Sequence, residues 1–127
     1  MAAPRAHRGR MTEGGRRGIP VHAGALLRRG QIMLDAALLA SPGEFARILT
    51  HELYHFVWWR LGNASRRSWE EVLAAELRAG VRGELGWSAE LRKRRLHAGD
   101  WRLRSRRWRE YVCESFCDTA GWLCRQG

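Results

Sequence analysis

His51 and His55 bracket Glu52 in the run ILTHELYHFVWW, residues 48–59. Residues four apart lie one above the other on a helix. The two imidazoles can therefore each offer a ring nitrogen to one ion, at the roughly 2.0–2.1 Å typical of zinc. Glu52 points about 100° round the helix from His51, so its carboxylate can reach a water on the ion without being a ligand. A metal ion lowers the pKa of such a water towards about 7, and a neighbouring carboxylate can take the proton. With the His and Glu content of this chain, the pattern is expected by chance only about 0.015 times. Two unligated helix histidines are the weaker reading.

Two ligands leave a site incomplete, and the third must come from elsewhere. Trp58 and Leu61 stand where a metzincin would continue with Gly and His, which closes that route. The run ESFCD, residues 114–118, offers another. Glu114 and Asp118 share one helical face, in an otherwise apolar setting. Glu114 would complete a His-His-Glu set with an open fourth position. Asp118, one turn on, could accept the free N–H of His51 and fix its tautomer.

With HELYH and ESFCD together, the chain resembles the zincin-like metallopeptidases, and within them the gluzincins. The resemblance covers GQIMLD (30–35), the helix with HELYH and the helix with ESFCD. It implies a zinc-dependent peptidase with His51, His55 and Glu114 as ligands, Glu52 as general base and Asp118 behind His51. It also implies that an extended peptide lies along the edge of a sheet whose strand precedes the active-site helix, the place QIMLD occupies.

Other residues compete for roles. Tyr111 lies one turn before Glu114 and is a candidate donor to a developing oxyanion, although a packed core tyrosine accounts for it as well. His97 is a candidate third ligand or transition-state donor, set in a basic, polar segment that favours exposure. His22 has no strong claim. Trp58 and Trp59 read as core and rim. Cys113, Cys117 and Cys124 fall on one flank of a helix and read first as small packing residues. A thiolate metal site is the alternative, without the C-x-x-C pairing that would support it.

The elements that must position these groups follow from capping and periodicity. Two short strands are expected at 18–24 and 30–35, bounded by Gly or Asp and joined by ALLRR. A helix starts at Ser41, with Pro42 at its first position and Glu44 completing a capping box. Phe45, Ile48, Leu49, Leu53, Phe56 and Val57 form its apolar stripe, and Gly62 with Asn63 close it. Ser68 and Glu71 predict a second helix to about Arg78. GVRGELGW (80–87) interrupts, a short basic helix follows from Ser88, and Ser105 caps a long final helix. Its expected core stripe is Trp108, Val112, Phe116, Thr119 and Leu123, with Tyr111, Glu114, Asp118 and Trp122 alongside.

Length and composition bound the rest. The 127 residues fit one domain, divided as a basic, flexible tail over 1–17 and a folded domain over 18–127. No apolar run approaches a bilayer span, and no apolar stretch follows the basic N-terminus as a secretory signal requires. Three cysteines give no closed disulfide framework, so a soluble, cytoplasmic protein is expected. The net charge of +10 is segregated, at +6 over 1–29 and +8 over 92–109, with −2 in each remaining segment. Such patches attract polyanions, which makes nucleic acid or an acidic protein a second class of partner beside a peptide or protein substrate. All basic residues but Lys93 are arginine, and no nucleic-acid-binding motif accompanies them.

The expected architecture is a minimal α+β zincin-like fold, a small sheet packed on the active-site helix and a C-terminal third-ligand helix. The expected function is zinc-dependent peptide hydrolysis. The alternative is a non-catalytic, zinc-stabilised binding module that uses the basic surface.

Overall fold

The computed structural model describes residues 23–125 with their side chains. Before them it describes the backbone of three short strands, β1 (Pro4–His7), β2 (Arg10–Glu13) and β3 (Ile19–Pro20). These three pair antiparallel in the order β2-β1-β3. The expected tail thus contains β1 and β2, and its other positions lie outside the described residues, as do Val21 and His22 of the expected 18–24 strand.

Strands β4 (Ala23–Leu26) and β5 (Gln31–Leu34) form an antiparallel hairpin with Ala23 opposite Leu34 and Leu26 opposite Gln31. The strand expected to end at Gly24 therefore runs on through Ala25 and Leu26. The link shrinks to a single 3₁₀ turn over Leu27–Arg29. That turn closes on Gly30 in the left-handed region, at φ 61°, where only glycine is unstrained. Asp35 then starts a second 3₁₀ turn, Ala36–Ala40, by accepting from the Ala37 N–H at 2.9 Å.

Helix α1 spans Pro42–Arg60, with proline at its first position. The capping box does not form. The Ser41 side chain makes no cap bond, and Glu44 instead accepts from Arg47 through both guanidinium Nε and Nη2, at 3.1 and 2.7 Å. A two-point charge-assisted pair three residues on outcompetes a single bond to a backbone N–H.

Gly62 and Asn63 do not simply end α1. Gly62 is the cap of helix α2, Asn63–Arg78, which begins five residues ahead of Ser68. Ser68 lies inside it and donates to the Ala64 carbonyl at 3.1 Å. The early start places Arg66 on the first turn, where it donates to the carbonyls of Trp58 and Trp59 at 3.0 and 2.6 Å. Both carbonyls lie in the last turn of α1, so α2 caps the end of α1 across a tight corner.

Helices α3 (Trp87–Arg94), α4 (Ala98–Arg102) and α5 (Arg106–Arg125) follow. Ser105 caps α5, accepting from the Trp108 N–H at 3.2 Å. The core gathers Leu73, Ala89, Trp108, Tyr111 and Val112, with Trp58, Trp69 and Leu77 packed on it. The Phe116 ring adds tilted and edge contacts with Tyr54, Trp58 and Trp69.

Helix α5 runs antiparallel to α1, and the crossing is close. A Cβ on Gly121 would sit 2.6 Å from the Arg47 carbonyl oxygen. This packing turns α1 away from the expected stripe, leaving Leu53 and Val57 exposed, while His51 and Glu52 are buried. Leu123 on α5 is likewise exposed at 59%. Hydrophobic periodicity misses such a face because its buried groups are polar and satisfy one another. The described residues are mostly helical with a small antiparallel sheet packed on α1, compatible with an α+β class. Among them, no helix is long and apolar enough to cross a membrane.

Candidate metal centre

Antiparallel packing matches the two helices rung by rung: Arg47 with Gly121, His51 with Asp118, His55 with Glu114. The four-residue spacing on α1 thus meets a four-residue spacing on α5. Three atoms converge as a result. Glu114 Oε2 is 3.0 Å from His51 Nε2 and 3.5 Å from His55 Nε2, and the two nitrogens are 3.2 Å apart. Tetrahedral bonds of about 2.0–2.1 Å put ligand atoms about 3.3–3.4 Å from one another, so the triangle has the size an ion requires. Glu114 Oε2 is buried and faces these two imidazole nitrogens, where a shared proton or an ion can bridge the donors.

The electrostatics ask for positive charge. Burial opposes a charge on His51, but the Asp118 and Glu114 carboxylates outweigh it and push the imidazole up to about 9. Burial likewise opposes the charge on His55, and Cys113 and Glu114 overcome it, to about 11. Burial works against the Glu114 carboxylate too, yet the two imidazoles hold it well below the usual range. Two imidazolium rings with nitrogens 3.2 Å apart repel, so the pair favours sharing one extra proton over carrying two. A divalent cation would replace that proton and meet the same demand.

Each imidazole is also held from behind. Asp118 Oδ1 lies 2.6 Å from His51 Nδ1, which leaves Nε2 to face Glu114. Its other oxygen, Oδ2, accepts from the Ala89 N–H at 2.8 Å, in the first turn of α3. Asp118 therefore caps one helix while orienting a side chain of another. Gly86, the cap residue of α3, makes room for this, since a Cβ there would run into the Asp118 carboxylate. Behind His55, Cys113 Sγ stands 3.6 Å from Nδ1. Sharing with Cys117 draws the Cys113 thiol down to about 6, helped by His55 and against burial.

Glu52 is buried, with Oε1 3.7 Å from His51 Nε2. Burial raises its pKa against the pull of the two imidazoles, which makes it a better proton acceptor than an exposed glutamate. It is within reach of the imidazoles as a ligand as well, and His51, Glu52 and His55 form one group able to hold an ion. Glu114 stands nearer to the His51 nitrogen than Glu52 does, at 3.0 Å against 3.7 Å, so both carboxylates are within reach of an ion at the histidines and Glu114 is the closer. Arg92 of α3 reaches the rim, with Nη2 3.8 Å from Glu114 Oε1.

The structure brings His51, Glu52, His55, Glu114 and Asp118 together and leaves the two candidate donors apart. Tyr111 is wholly buried in the core beside Trp108. Burial raises its pKa, and the carboxylates that act on it are Glu84 and Glu76. His97 is exposed at the start of α4, where its backbone N–H donates to Asp100 at 2.7 Å. Sequence reasoning missed Gly86, Ala89 and Arg92. Arg92 was counted as solvated charge, and no local pattern marks a glycine and an amide that must approach a carboxylate 29 residues away.

No protein-family model matches the chain, no curated protein matches it in sequence, and no solved structure matches it in fold. Among the described residues, two groups could hold a metal ion, the set His51, Glu52 and His55 and the set His55, Cys113 and Cys117.

Proposed function

We propose that the chain is a zinc metallopeptidase of the gluzincin kind, with a minimal zincin-like fold, in which His51, His55 and Glu114 hold the ion. The observation that carries this reading is the triangle of donor atoms 3.0–3.5 Å apart with the buried Glu52 carboxylate beside it. Bound there, zinc would acidify water and polarise a carbonyl. The chain's own residues do the rest. Glu52 accepts a proton from the attacking water and returns it to the departing amine. Asp118 keeps the His51 ring turned with Nε2 towards Glu114, and Cys113 stands in the same relation to His55. An extended peptide would lie along β5, the strand before α1, bonded through its backbone.

The test is cleavage of an unstructured protein by the zinc-loaded chain and by Glu52→Gln. Cleavage by the first alone, with zinc held by both, is the expected result. Equal cleavage by both, or none by the wild type, contradicts the reading.

A second reading has one observation behind it. A cavity of about 350 Å³ lies between α2 and the start of α5, lined by Arg66, Arg67, Arg104 and Arg109 with Trp58 as a wall. Glu70 neutralises Arg104 through a two-point pair at 3.0 Å, and the remaining charge is positive. A zinc-stabilised module binding nucleic acid there would lose affinity steeply with salt. Binding that is absent at low salt removes this reading.

A further inference from the structure

We propose that Cys113, Cys117 and the Nδ1 side of His55 form a second metal site, for a thiophilic ion. Three observations carry it. First, the ligand atoms of these residues all lie within 4.8 Å of one another. Second, Cys113 Sγ is 3.6 Å from His55 Nδ1. A tetrahedral ion bonded to sulfur at about 2.3 Å and to nitrogen at about 2.0–2.1 Å holds those two atoms about 3.5–3.6 Å apart. Third, the thiols are free, Cys117 wholly buried and Cys113 half-buried.

Helix geometry explains the clustering. Cys113 and Cys117 are four apart on α5 and stack on one flank, the flank turned to the far side of the His55 ring. Glu114 faces the near side. One imidazole therefore stands between two ligand sets, with Nε2 towards nitrogen and oxygen donors and Nδ1 towards sulfur. Two thiolates and one imidazole leave a fourth position open, and thiolates favour zinc-like ions or Cu⁺ over Mg²⁺ and Ca²⁺. On binding, the ion displaces the Cys117 proton, and any proton still held by Cys113 or Nδ1, to solvent. The site goes beyond the peptidase reading and does not depend on it.

Co²⁺ is the probe, since thiolate ligation gives it a near-ultraviolet charge-transfer band that nitrogen and oxygen ligands do not. The reduced full-length chain is titrated with Co²⁺, alongside Cys113→Ser, Cys117→Ala, Cys124→Ser and Glu114→Gln. The band is expected in the wild type, in Cys124→Ser and in Glu114→Gln, and is lost in Cys113→Ser. Cys117 is a core residue, so circular dichroism accompanies its variant, and half-buried Cys113 carries the test if that variant does not fold. No band in the wild type at excess Co²⁺, or a band that survives Cys113→Ser but not Cys124→Ser, overturns the proposal. Failure of the peptidase reading would show as absent cleavage with the band intact, and failure of this site as an absent band with cleavage intact.

Discussion

Two faces of α5 bury different things. Towards α2 and α3 it presents Trp108, Tyr111 and Val112 to Leu73 and Ala89, and that core is closed on itself. Towards α1 it presents the Glu114 and Asp118 carboxylates to two imidazoles, with Glu52 beside them. The first face is held by apolar packing, with the Tyr111 hydroxyl and the Trp69 indole N–H buried in it without a hydrogen-bond partner. The second gathers buried carboxylates against imidazoles held above their ordinary pKa, so its charges balance with protons or a cation. One face folds the chain and the other gives the fold something to do.

If the division is real, substitutions should separate chemistry from stability. The largest effect is expected for Glu52→Gln, a loss of about 10²–10⁴ in kcat with zinc content unchanged. Steady-state cleavage beside metal analysis checks it, and loss of zinc would instead make Glu52 a ligand. Trp108→Ala on the other face should cost about 3–5 kcal/mol of stability in denaturant unfolding, with the folded fraction still binding one zinc at the histidines. Asp118→Ala sits on the border, since it frees His51 Nδ1 and the Ala89 N–H together. A drop of about 10–100-fold in zinc affinity is expected, read by competition with a chromophoric chelator.

The smallest effect is in pH. The metal-free His51 pKa is raised from 6.5 to about 9, so its contribution is fully present below about pH 6.5 and fades as pH rises through about 9. Glu114 is depressed below 4.5, so its contribution is present above that value and is lost in acid. The metal-free chain should therefore have its highest Tm between roughly pH 4.5 and 6.5 and lose stability towards pH 9. Zinc needs the imidazoles deprotonated, so the loaded chain should not show the alkaline fall. Calorimetry of both forms across that range checks the sign.

Much of this could be read from residue types and spacing. HELYH and ESFCD carry chemistry in their side chains, and a four-residue repeat is meaningful on any helix, so His51, His55, Glu52, Glu114 and Asp118 were nameable together. Pro42 and Ser105 marked two helix starts because their effects are local. What escaped was set by partners distant in sequence. Arg66 decides where α2 begins by reaching back to Trp58 and Trp59, which overrides the start signal at Ser68. Leu53 and Val57 read as core on apolarity alone, whereas α1 buries its histidine face. Gly86 matters only because Asp118 arrives beside it.

Zinc X-ray absorption on Cys113→Ser, which removes the proposed thiolate site, loaded with one equivalent of zinc, beside the same chain carrying Glu114→Gln, tests the central assignment most directly. His51, His55 and Glu114 as ligands predict a shell of nitrogen and oxygen alone at about 2.0–2.1 Å, altered in Glu114→Gln. No retained zinc, or a shell dominated by sulfur at about 2.3 Å, would contradict it.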